Sequence, residues 1–193
     1  MENSFPGFEQ MISSIPDIGK SDLDILREKF RPKIFSKNEF IGREGETARY
    51  TGYVESGCVS NYRILTSGKK SINHFAFEDW WVGDLESFLQ QTPAKSYWLT
   101  LEETHTRSIS KTDFDWVMRN IPPFQVFYLK KTQSAFLKEM ENADRDKSET
   151  AIEKYERMER DYPKILQRVP NYEVAAYLGI APESLSRIRK KRS

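Results

Sequence analysis

The residues best suited to chemistry stand together near the C-terminus, in Glu183-Ser184-Leu185-Ser186-Arg187. At about 100° per helical residue, Glu183, Ser186, Arg187 and Lys190 gather on one face, while Leu185 and Ile188 share the opposite one. An arginine can donate two hydrogen bonds to guanine, a glutamate can accept from the cytosine amino group, and a serine can serve a base or a phosphate. Arg189, Lys190, Lys191 and Arg192 extend the face with positive charge, which attracts phosphates but carries no sequence information. The plainer reading is the solvated side of an amphipathic hairpin. That reading does not account for the order Glu-x-x-Ser-Arg.

Such a face needs a support, and the preceding residues supply one. Val174, Ala175 and Leu178 recur at helical spacing, and Gly179 follows where a turn needs positive φ. Pro182 suits the first position of a second helix, because its missing N–H would have no partner there. Leu185 and Ile188 can then pack back on Val174 and Leu178, and Ala175 is small enough for two steeply crossing helices. These are the requirements of a helix-turn-helix whose second helix enters the DNA major groove.

Upstream, residues 1–31 read as a flanking helical layer. Phe8, Met11 and Ile12 form one apolar set, while Leu23, Leu26 and Phe30 line a second helix capped by Ser21 or Asp22. From 32 to 111 the signal changes to short β-rich runs at 50–55, 59–65, 71–77 and 97–101. Turn residues separate them, among them Ser56-Gly57, Ser67-Gly68 and Gly83-Asp84. Short strands with no interleaved helix predict an antiparallel sandwich or barrel, most simply a jelly roll. Residues 112–144 turn helical again, with Asp113 as a candidate cap and a break at Ile121-Pro122-Pro123. Phe124, Phe127, Tyr128, Ala135, Phe136 and Met140 form a stripe that either packs on the chain's own strands or makes a dimer seam. The charged run 142–149 reads as a boundary.

The C-terminal motif resembles the recognition helix of the Crp/Fnr family of bacterial transcription regulators, where E-x-x-S-R reads the operator half-site. The segment GREGETARYTGYVESGCVSNYRI resembles the opening of the cyclic-nucleotide-binding β-roll, and FEDWWVGDLESFL looks like its phosphate-binding cassette. The resemblance implies an α+β chain: a jelly-roll sensor over 1–120, a dimerisation helix over 121–145 and a small all-α DNA-binding domain over 146–193. It also implies a cytoplasmic homodimer on double-stranded DNA, with half-sites about 10–10.5 bp apart and RNA polymerase as a further partner. The expected DNA contacts are Glu183, Ser184, Ser186, Arg187, Arg189, Lys190 and Lys191. In cyclic-nucleotide members a Gly-Glu pair meets the ribose and an Arg-Ser or Arg-Thr pair clamps the phosphate. Here Gly83-Asp84 and Lys95-Ser96 hold those places. Lysine offers a point charge in place of a planar fork, so another small effector, or none, is expected ahead of cyclic AMP.

The remaining chemistry is sparse. The 193 residues carry a net charge of +1, so any pull on nucleic acid is local. Cys58 is the single cysteine, which excludes an internal disulfide or a multi-cysteine metal site. His74 and His105 are too few for a three-imidazole metal site. Ser67-Gly68-Lys69-Lys70 lacks the first glycine of a phosphate loop, and Glu102-Glu103 would face opposite ways on a strand. No catalytic constellation is present, so an enzyme is not expected. No apolar run is long enough to span a bilayer. The alternative reading is a ligand-binding or interaction module that does not bind DNA. It draws on the sequence running only to Ser193, where many family members continue into a β-hairpin wing.

Overall fold

A computed structural model describes residues 7–190, with the side chains at 146, 147, 164 and 165 left aside. Two short helices, α1 (Phe8–Ser13) and α2 (Lys20–Lys29), come first, and Phe8, Ile12, Leu26 and Phe30 are wholly buried. The N-cap of α2 is Gly19, not Ser21 or Asp22. Asp22 instead accepts the Gly19 N–H at 3.2 Å and so closes the first turn from within.

Eight strands follow: β1 (Arg31–Phe35), β2 (Phe40–Gly42), β3 (Tyr50–Ser56), β4 (Val59–Ile64), β5 (Lys70–Ala76), β6 (Trp81–Val82), β7 (Tyr97–Thr100) and β8 (Thr104–Ser110). They form two antiparallel four-stranded sheets, β1-β8-β3-β6 and β2-β7-β4-β5, with the short helix α3 (Leu85–Gln90) between β6 and β7. The jelly-roll expectation is met, but half of the strands escape sequence inspection. β8 lies between β1 and β3 and is central to its sheet, yet its buried positions include Thr104 and Thr106. Hydroxyls facing inward leave no apolar alternation to read. Glu102 and Glu103 fall in the turn before β8 and not on a strand.

Helix α4 (Lys111–Asn120) is capped by Ser110, whose Oγ accepts the Asp113 N–H at 3.1 Å; Asp113 itself sits inside the first turn and pairs with Lys29 at 2.8 Å. The long helix α5 spans Pro122–Ser148. The charged run 142–149 is therefore helical to Ser148 and not an open linker. Ala143, Arg145, Lys147 and Glu149 are good helix formers, and Arg145 pairs one turn back with Glu141. The break comes at Glu149. There Thr150 caps α6 (Ala151–Asp161) in a reciprocal box with Glu153. Three more helices follow among the described residues: α7 (Pro163–Arg168), α8 (Asn171–Leu178) and α9 (Pro182–Lys190).

The apolar stripe of α5 divides. Phe124 and Tyr128 are buried with Phe30, Phe88 and Phe114 in the core of the roll, and Phe127 packs against it. Ala135, Phe136 and Met140 face outward with Leu137. A second core joins the two halves of the chain. Tyr62, Ile72 and Phe75 of the strands, with Phe77 just after β5, meet Tyr155, Met158, Val174, Leu178 and Leu185 of the last helices.

Candidate nucleic-acid interface and ligand cavity

The α8–α9 pair is built as its sequence pattern requires. Gly179 takes φ +68° after the last turn of α8, and the Ile180 N–H returns to the Ala175 carbonyl at 3.0 Å. Pro182 opens α9. Leu185 is 1% exposed in the same cluster as Val174, Ala175 and Leu178. With that side buried, Glu183, Ser186, Arg187 and Lys190 are all exposed. Arg187 donates to Ser184 Oγ at 3.1 Å, and the Ser186 hydroxyl donates to the Pro182 carbonyl at 3.2 Å.

Arg189 does not join them. It donates to Asn171 Oδ1 at 2.5 Å and lies 6.0 Å from the Tyr155 ring centre, so it ties α9 to α8 and α6. Ser184 is half-buried, and Lys191 and Arg192 lie outside the described residues.

The helical module is seated on the roll by two charged contacts. Lys70 of β5 pairs at 2.5 Å with Glu173 of α8, which is 2% exposed. The Lys70 ammonium also lies 4.1 Å from the Tyr62 ring centre. Arg168 grips Glu78 through two bonds of 2.9 and 2.8 Å and also reaches Glu102. Burial works to raise the Glu78 carboxyl, but hydrogen bonds from Arg168 and from backbone N–H groups outweigh it and hold it below the usual range.

Inside the roll lies a cavity of about 490 Å³, lined by Gly83, Asp84 and Ser96 among others. Gly83 has φ +117°, and a Cβ there would stand 3.3 Å from the Tyr50 carbonyl, so the turn requires glycine. Asp84 caps α3 by accepting the Ser87 N–H at 3.0 Å, and its other oxygen accepts the Ser96 hydroxyl at 3.0 Å and the Lys95 N–H at 3.1 Å. Its acceptor capacity is largely engaged by the chain itself. Ser96 also accepts from Asn61 at 2.9 Å. Lys95 departs from expectation: it is not part of the lining, and its ammonium pairs with Glu86 at 2.5 Å on the surface. The reason is proximity to a carboxylate on α3 that faces solvent.

Sequence reasoning missed the cations that do line this cavity, Lys33, Arg43 and Arg49, and its hydroxyl wall of Thr106 and Ser108. Arg43 and Arg49 stand in the segment that resembled the roll's opening, which was a usable signal. Thr106 and Ser108 sit two apart on β8, a strand that no apolar alternation marks in the sequence.

Other candidates fall into structural places. The Ser67-Gly68 turn joins β4 to β5, with the Gly68 N–H on the Leu65 carbonyl at 2.8 Å. Cys58 is buried, and burial pushes its thiol well up. His105 pairs with Glu103 at 3.0 Å on the surface. Among the described residues, no three metal-binding side chains cluster, and no helix is long and apolar enough to cross a membrane.

Residues 32–120 match the family profile of the cyclic nucleotide-binding domain. Among solved structures, the chain is similar to the c-di-GMP-responsive global regulator CLP of Xanthomonas campestris. The TM-score is 0.71 at 17% identity, covering 90% of this chain and 91% of that one. It is also similar to FixK2 of Bradyrhizobium japonicum, with a TM-score of 0.63 at 20% identity and 83% of each chain covered. The catabolite activator protein of Thermus thermophilus gives 0.54 at 17% identity, over 92% of this chain and 84% of that one. Among curated protein sequences, none matches. Residues 32–120 thus match the cyclic nucleotide-binding domain family, and over most of its length the chain shares the fold of these solved regulators.

Proposed function

We propose that the protein is a dimeric, cytoplasmic DNA-binding transcription regulator of Crp/Fnr type. In this reading α8 and α9 form a helix-turn-helix, α9 is the recognition helix, and residues 121–145 provide the dimer seam. The observation that carries it is the exposed set Glu183, Ser186, Arg187 and Lys190 on a helix fastened by the buried Leu185. Arg187 reads a guanine, Glu183 accepts from a cytosine amino group, and Lys190 attracts phosphate. Ser186 and Ser184 support those contacts, while Arg189 acts by holding α9 in place. RNA polymerase is a further partner where the output is activation.

The seam rests on Val126, Leu129, Phe136 and Met140, all exposed and spaced so that they share one face of α5. The β-roll cavity is the effector site in this reading. Its cations Lys33, Arg43 and Arg49 suit an anionic molecule. Asp84 and Lys95, being held by the chain itself, are less suited to the ribose and phosphate roles that the family pattern assigns them.

Selection of bound fragments from random DNA, followed by mobility-shift titration over a salt series, tests the proposal. A regulator yields a near-palindromic site and an affinity that falls steeply with salt. Equal, weak binding to every sequence, or none, leaves the ligand-binding module without a DNA partner.

A further inference from the structure

A second cleft, of about 360 Å³, lies away from the β-roll cavity, where strand β5 meets α5, α6 and α8. Its walls carry His74 and Asn73 of β5, Trp80, Asn142 of α5, Tyr162 just after α6, and Tyr177 of α8. Trp80 stands edge-on to Tyr162 with ring centres 6.4 Å apart, and His74 is 6.2 Å from Trp80. Aromatic rings that line an open cleft favour a flat ring, which can stack on one and meet the edge of another.

The polar groups of the cleft are of a particular kind. Neither ring nitrogen of His74 has a hydrogen-bond partner among the described residues, and the half-buried side chain lies beside Trp80 and Trp98. Burial pushes its pKa down to about 4, so at neutral pH the ring offers one donor and one acceptor. Asn73 donates one amide N–H to Asn61 at 2.7 Å, which leaves its second N–H as a donor and its carbonyl oxygen as an acceptor. β5 is also the edge strand of its sheet, so the outer side of its backbone pairs with no strand. Those are the groups that read the hydrogen-bonding rim of a heteroaromatic ring. The guanidinium on the wall, Arg157, is held by Glu149 at 2.9 Å and so is not set to bind an anion.

We propose that this cleft is a second ligand site, taking an uncharged planar heteroaromatic molecule of about one fused bicyclic ring. Its volume is near the lower end of the range for small-molecule sites, roughly 300–1,000 Å³, and it lies between modules, where such sites concentrate. A ring seated there touches β5 of the roll, α5 and α8 together. It thereby fastens the helical module to the roll, independently of whether that module binds DNA.

Trp80 is a built-in reporter, so the test is fluorescence titration of the full chain with adenine, hypoxanthine and indole. Saturable quenching by adenine and hypoxanthine is expected, with weaker binding of indole, whose rim has no acceptor nitrogen. Asn142→Phe fills the cleft from α5, and Tyr162→Ala removes one ring wall. Each should weaken binding at least about tenfold while the melting midpoint stays within a few degrees of the parent's. Ser108→Ala, in the β-roll cavity, should leave the affinity unchanged. No saturable quenching by any of the three probes overturns the proposal. So does binding that survives both cleft variants or is lost in Ser108→Ala.

Discussion

Arg187 and Arg189 are two residues apart and have different work. The first lies on the outer face of α9, with Ser184 Oγ at 3.1 Å; the second turns inward to Asn171 and Tyr155. Replacement of each by alanine should separate the roles. Arg187→Ala should cost about 1–3 kcal/mol on the preferred DNA site and relax the preference at one base pair. Mobility shifts on single-substituted operators would show this. Arg189→Ala should weaken binding to every sequence alike and lower the melting temperature of the helical module, read by circular dichroism. The outward set was legible because it follows from helical period alone. The inward turn of Arg189 was not, since it depends on where α6 brings Tyr155. The same holds for Asp84, whose pairing with Ser96 and Lys95 spans a loop that no local pattern describes.

At the scale of elements, α5 shows how one periodic stripe can serve two surfaces. Tyr128 is 7% exposed within the roll's core, while Phe136 is 63% exposed two turns later. Both halves repeat every three or four residues, so the sequence shows one continuous stripe, open to packing on the strands or to a dimer seam. The roll covers only the first part of the helix, and that decides which residues remain free. Phe136→Glu should therefore leave the roll's melting temperature unchanged and convert a dimer to a monomer in sedimentation velocity. Tyr128→Ala should instead destabilise the roll by about 3–5 kcal/mol, measured by denaturant unfolding. A monomer that persists in the parent protein would remove the seam from the functional reading.

At the scale of the molecule, the helical module is held to the roll by an apolar core and two ion-paired contacts. Glu78 has a depressed pKa in the folded state, so its pairing with Arg168 contributes fully above its ordinary value of about 4.5. That contribution is lost as pH falls through the lower folded value. Below pH 4.5 the module should loosen from the roll before the roll itself unfolds. Paired measurements of Trp80 fluorescence and far-UV circular dichroism along an acid titration would separate the two events. Arg168→Met should bring on the same loosening at pH 7. It leaves Glu78 enclosed without its partner, a penalty of up to about 3–5 kcal/mol.

The sequence by itself determined the local features: the α8–α9 pair, the β-rich middle and the apolar stripe of α5. Each rests on spacing within a few residues, on a glycine that takes positive φ, or on a proline that opens a helix. Tertiary structure decided the rest. β8 pairs with both β1 and β3 while its Thr106 and Ser108 line a polar cavity, and Lys95 stands outside that cavity, paired with Glu86. The seating of the module joins Lys70 to Glu173 across 103 residues and Glu78 to Arg168 across 90. Partners so distant are chosen by which surfaces meet once both parts have folded, and helical or strand periodicity carries no information about that.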